Sequence, residues 1–144
     1  MIHVAILKKS FGFLQKIASG EKTIESRWYV SRRAPWACIK RGEMVYFKDA
    51  GEPIVLCARV ADVLEVADLT VSKARMLLAR HGKAIGFVDD VIEHPERWLA
   101  NKRYAILIFL ERPRGCKPFR IEKRGFGTMS AWITAPKLDV LRKD

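Results

Sequence analysis

The chain has 144 residues, is 49% hydrophobic, and carries 27 Lys and Arg against 16 Asp and Glu, a formal net charge of +11. That length supports one hydrophobic core without disulfides or a structural metal, and residues 1–144 read as a single domain with no linker, repeat or low-complexity run. The apolar content excludes a disordered chain, no stretch approaches the ~20 apolar residues of a membrane span, and the cation excess favours a polyanionic partner over a merely basic, solvated surface.

Residues 2–7 form the first expected strand, with His3 in a structural role at its edge. The apolar run is cut short at Lys8 and Lys9, too early for a signal peptide, so a cytoplasmic protein is expected. Ser10 is placed to cap a helix whose apolar residues Phe11, Leu14, Ile17 and Ala18 recur at helical spacing, and Gly20 stands where a left-handed terminal residue is expected. Past Gly20 the period changes to two. In an extended segment over 23–30, Thr23, Glu25, Arg27 and Tyr29 share one face, while Ile24, Ser26, Trp28 and Val30 share the other.

Residues 31–36 make a loop with Arg32, Arg33 and Trp36. Guanidinium groups suit phosphate and exposed aromatic faces suit unpaired bases. Trp28, on the apolar face, serves equally as core or as stacking platform, whereas Trp36, after Pro35, is expected to be exposed. A turn at 41–43, a strand over 44–49, a second turn, and a long strand or strand pair over 54–66 make a hairpin, whose Lys48 and Arg59 either line a groove or are solvated.

Thr70 is expected to cap a helix running to about residue 80 and ended by Gly82, with Val71, Ala74, Leu77 and Leu78 inward. Pro95 opens a shorter helix with His94 near its cap. Asp89, Asp90, Glu93 and Glu96 read as a solvated acidic face, without the ligand spacing of a metal site. Residues 103–111, apolar on both alternating sets, are the strongest strand and are expected to be central. Arg112, Arg114, Lys117, Arg120, Lys123 and Arg124 follow, interleaved with Phe119 and Phe126. Gly125 and Gly127 then bound a turn that is either a plain hairpin connection or a close-approach loop for a ligand, ahead of a last strand over 131–134. Cys38, Cys57 and Cys116 are scattered singly, as reduced thiols would be, and neither a metal nor a cofactor is expected.

Gly20, Lys22, Glu25 and Arg27 fit a pattern of glycine, any residue, lysine, two residues, glutamate, any residue, arginine after a short N-terminal helix. This arrangement resembles the activating signal cointegrator homology (ASCH) family of the PUA-like superfamily. The turn at Arg41, Gly42 and Glu43 before Met44–Phe47, and the late strand with Ala131, Trp132 and Ile133, agree with it. The resemblance implies an α+β fold, a PUA-like mixed, partly closed β-barrel with flanking helices, with strands over 45–48, 54–60 and 104–110, and a cleft suited to RNA or a nucleoside. It does not imply a single activity. Some small ASCH proteins are amidohydrolases on acetylated cytidine, using a lysine, a threonine three residues later and a distant glutamate, and others act as ribonucleases. Lys22 matches that lysine, but Glu25 occupies the threonine's position.

Three readings of the motif stand side by side. Glu25 and Arg27 form an ion pair inside the barrel mouth with Lys22 on the surface; or Lys22 and Arg27 hold phosphate or a base edge while Glu25 accepts from an exocyclic amine; or Lys22, its pKa lowered by Arg27 and partial burial, is a catalytic base assisted by Glu25. The expected nucleic-acid surface comprises Lys22, Glu25, Arg27, Trp28, Arg32, Arg33, Trp36, Lys48, Lys117, Arg120, Arg124 and Phe126. RNA or a nucleoside is the favoured partner, and a protein partner is the rival.

Overall fold

The computed structural model describes residues 1–123 and 130–143. Arg124, Phe126 and the glycine-bounded turn therefore lie outside the described residues. Six strands form one mixed sheet: β1 (Ile2–Leu7), β2 (Ile24–Tyr29), β3 (Met44–Asp49), β4 (Ile54–Val66), β5 (Tyr104–Phe119) and β6 (Trp132–Ala135), in the order β2-β5-β4-β3-β1-β6. The β1–β3 pair is parallel and the other pairs antiparallel. Register shifts along β4–β5, at Ile54/Leu56, Cys57/Arg59 and Val60/Asp62, mark bulges that bend and twist the two longest strands. The α+β half-barrel agrees with the expected architecture, and all three anticipated strands lie within observed ones.

Alternation divides the sheet between three apolar clusters. Ala5, Leu7, Val45, Phe47, Ala58, Val60, Ile106, Ile108 and Trp132 fill the concave interior. On the outer face, Ile24, Ala105 and Leu107 meet Ala74, Leu78 and Ile85 of helix α2 (Val71–Ile85). Elsewhere on that face Val4, Ile54 and Ile133 pack beneath Leu141 from the C-terminal segment. The sheet's two edge strands are brought together by a side chain instead of a ladder. Arg27 on β2 donates from Nη1 to the Ala131 carbonyl at 3.2 Å and from Nη2 to the Ile6 carbonyl at 3.4 Å.

Thr70 caps α2 as expected, accepting from the Lys73 N–H at 3.1 Å. The helix runs past Gly82, however, and ends at Gly86, whose φ of 93° suits a left-handed terminus. Gly82 is a packing residue. A Cβ there would lie 2.7 Å from Ile92 of the short helix α3 (Asp89–Glu93). Helix α1 is Phe13–Ser19, and Ser10 makes no cap because a 3-10 turn over Lys9–Phe11 and a left-handed Gly12 precede it. Pro95 opens only a 3-10 turn, Pro95–Arg97, and the His94 side chain makes no cap bond. Strand β5 extends to Phe119, well beyond residue 111, because its basic half pairs with the start of β4.

His3 is fully buried. Its Nδ1 accepts from Trp132 Nε1–H at 3.2 Å, which assigns the proton to Nε2, and that N–H donates to Glu43 at 2.9 Å. Thr134 Oγ1 lies 3.0 Å from Nδ1, so the structural role expected for His3 is met through a network tying β1 to β6 and to the turn before β3. Among the described residues no helix is long and apolar enough to cross a membrane, and no group of three or more His, Cys, Asp or Glu could hold a metal ion. All three cysteines are free.

Candidate functional site

Gly20, with φ of 83°, ends α1 and turns the chain so that Lys22 enters the protein before β2 begins. Only 1% of Lys22 is exposed, against 3% of Glu25. The placement of Lys22 on the surface is thus corrected. Its Nζ donates to the Ile24 carbonyl at 2.7 Å and to the Ile85 carbonyl at the end of α2, and it lies 3.4 Å from Glu25 Oε1. Phe13 covers the ammonium, with its ring centroid 4.4 Å away. Three protons meet three acceptors, two of them on backbone that an ammonium suits, one at a helix C-terminus. Burial pushes the Lys22 pKa below the usual lysine value, and the Glu25 charge opposes that change.

Glu25 sits between the two cations. Oε1 accepts from the Ser26 N–H at 2.9 Å, and Oε2 from Arg27 Nη2 at 3.4 Å. Burial alone would raise its carboxyl pKa. The Lys22 and Arg27 charges and the Ser26 N–H outweigh burial and hold it below the usual carboxylate value. Glu25 is therefore an ionised acceptor at neutral pH. Of the roughly four lone-pair positions of a carboxylate, the contacts with Ser26, Lys22 and Arg27 use three.

Glu25 and Arg27 form part of the floor of a cavity of about 440 Å³ beside the seam between β2 and β1. This volume falls within the ~300–1,000 Å³ of small-molecule sites. Its walls are chiefly aromatic: Phe11, Phe13, Trp28, Tyr29, Phe87 and Trp98 all line it. These rings brace one another, with centroid separations of 5.2 Å for Phe11–Phe13, 6.4 Å for Phe13–Phe87, 5.2 Å for Phe87–Trp98 and 5.4 Å for Trp28–Trp98. Trp28 is further fixed by its Nε1–H donating to Ser26 Oγ at 2.9 Å. Lys8 and Lys102 supply cations to the lining.

The structure brings Glu25, Arg27 and Trp28 together in this cavity; Lys22 stands behind Glu25 and does not line it. Trp28 combines the two alternatives, lining the cavity on one side and packing against the α2 cluster on the other. Trp36 is half-buried, edge-on to Tyr104 at 5.0 Å, so the exposed stacking position expected for it is corrected. Arg32 and Arg33 lie over Tyr104 and Tyr29, at 5.5 and 5.6 Å from the ring centroids, outside the cavity lining. Lys48, Lys117 and Arg120 do not line this cavity. Sequence reasoning missed Phe13, Phe87 and Trp98. Phe87 and Trp98 stand far from the motif in sequence, and only the packing of α2 and the Pro95 turn against β2 carries them to it.

No protein-family model matches this sequence, and no curated protein matches it. Solved structures do resemble the fold. A crystal structure of an ASCH protein from Zymomonas mobilis aligns with a TM-score of 0.60 at 17% identity, covering 81% of this chain and 71% of that one. Structures of two point mutants of the same protein align with TM-scores of 0.60 and 0.59, also at 17% identity and over 81% of this chain. The chain has the fold of an ASCH domain.

Proposed function

We propose that this protein binds single-stranded RNA or a modified nucleoside, seating one base in the aromatic cavity beside the β1–β2 seam. The observation that carries the reading is the pairing of that cavity's walls with its floor. Five braced rings surround a carboxylate and a guanidinium held side by side. The rings offer stacking faces to any base, and the remaining lone-pair position of Glu25 suits an exocyclic amine. Lys8, Lys102 and the net charge of +11 supply attraction for the backbone. Binding is favoured over hydrolysis because Lys22 is engaged by three acceptors and Glu25 is a stabilised, weakly basic carboxylate.

Fluorescence anisotropy with labelled single-stranded RNA tests the reading. Affinity is expected to fall linearly in log–log form with salt, and Phe87→Ala is expected to weaken it by roughly 5- to 150-fold, the worth of one stacked base at ~1–3 kcal/mol. No association at about 50 mM salt, where phosphate contacts are strong, would remove RNA in favour of a protein partner. Turnover of RNA or of an acylated nucleoside by the wild type would make the protein a hydrolase.

A further inference from the structure

A second cavity, of about 460 Å³, opens on the outer face of the sheet, and it shares no lining residue with the first. Arg114, Lys117 and Arg142 contribute cations to its lining, Tyr46 a phenol, and none of its described lining residues is acidic. Two of the cations are held in place. Arg114 Nε–H donates to Cys57 Sγ at 3.4 Å, which leaves the terminal nitrogens of its fork for another acceptor, and the Arg142 guanidinium lies over Phe119, 4.4 Å from the ring centroid. Tyr46 packs edge-on to the same ring at 6.2 Å. A cavity with positioned guanidinium groups and no carboxylate is built for an anion, and the planar fork suits phosphate oxygens.

Strand register connects this cavity to the first. Ile6, a wall of the first cavity, pairs with Lys48, and Val4 pairs with Tyr46, a wall of the second. With strands ~4.8 Å apart and residues ~3.3 Å apart, Ile6 and Tyr46 stand about 8 Å apart on the outer face. That register places one lining residue of each cavity on neighbouring strands, two residues apart. Lys48 lies between them, on the same face of β3 as Tyr46. Burial first, and then the neighbouring Lys123 and Arg120 charges, lower the Lys48 pKa, which locates those cations beside it.

We infer that the outer-face cavity is a phosphate-recognition site, taking a backbone phosphate of the same RNA strand whose base occupies the aromatic cavity. This rests on the function proposed above, yet the site's own chemistry extends to any phosphate group, so free phosphate and RNA provide separate arms of a test. In the first arm, inorganic phosphate is titrated into the labelled protein and followed by amide NMR. Gly115, Cys116 and Phe119 are expected to shift in the wild type and to stay still in the Arg114→Gln/Arg142→Gln double variant. In the second, binding of an octauridylate is measured against salt. The double variant is expected to lose about tenfold or more in affinity and to lower the salt slope by about 0.7, the loss of one phosphate contact on a single strand. A charge-matched Lys73→Gln/Arg80→Gln control on the exposed face of α2 is expected to do neither.

Equal losses in the two double variants would overturn the inference, since they would reflect net charge alone. Unchanged RNA binding in Arg114→Gln/Arg142→Gln would overturn it as well. If the wild type binds no RNA, the proposed function fails. The phosphate titration then decides the site independently: shifts confined to the cavity retain it as a phosphate site, and their absence removes it.

Discussion

Replacing Lys22 by Met keeps the length and apolar stem of the side chain but removes the ammonium. Three acceptors lose their donor: the Ile24 carbonyl, the Ile85 carbonyl and Glu25 Oε1, all where solvent does not reach Lys22. Breaking a buried pair by removing one partner costs about 3–5 kcal/mol. Arg27 still faces Glu25 at 3.4 Å and softens that loss, while the two orphaned carbonyls add to it at ~1–3 kcal/mol each. The expected net is about 3–5 kcal/mol. At ~2–4 °C per kcal/mol for a domain of this size, Tm should fall by roughly 6–20 °C. Urea denaturation followed by tryptophan fluorescence measures the free energy, and Glu25→Gln with the double variant completes a cycle expected to show coupling of at least ~1 kcal/mol. A Lys22→Met protein with an unchanged urea midpoint but an abolished activity would refute the reasoning and give Lys22 a chemical role.

Three other outcomes follow from the same geometry. Burial lowers the His3 pKa although Glu43 opposes it, so the unfolded chain takes up a proton more readily. The contribution of neutral His3 should be complete above pH ~6.5 and lost as pH falls below that value, giving a stability slope on the acid side of pH ~6.5 that His3→Gln flattens. Arg27→Leu should release the seam, accelerating amide exchange along β6 and at Ala131 more than in the centre of β5, because its guanidinium holds the Ala131 and Ile6 carbonyls. Gly86→Ala should lower stability by about 1–2 kcal/mol, the penalty of a left-handed alanine at a φ of 93°; a Cβ there would meet Phe13 at 3.4 Å and Lys22 at 3.5 Å in ordinary van der Waals contact.

The barrel was legible where one face of a strand meets water and the other a core. The alternation in β2 placed Glu25 with Arg27 on one face and Ile24 with Trp28 on the other. It failed where charge and structure diverge. The expected strand stops at residue 111, yet the basic run beyond it continues β5 because Leu56 and Cys57 need partners and find them at Gly115 and Arg114. Gly82 reads as a stop, but its role is to let Ile92 approach α2. Lys22 reads as a surface cation because lysine is seldom buried, and only the convergence of Ile24, Ile85 and Glu25 makes its burial tolerable. Half of the candidate site was written in residues 25–28. The other half, Phe13, Phe87 and Trp98, depends on tertiary packing that carries no local signal.

The central claim is that a base enters the aromatic cavity, and the indole N–H signals of the four tryptophans test it most directly. On titration with single-stranded RNA at about 50 mM salt, the Trp28 and Trp98 signals should shift together in a saturable manner, because both rings line the cavity and meet each other at 5.4 Å. Trp36, packed against Tyr104 outside it, should stay in place. Saturable RNA binding that moves Trp36 and leaves Trp28 and Trp98 unchanged would contradict the account.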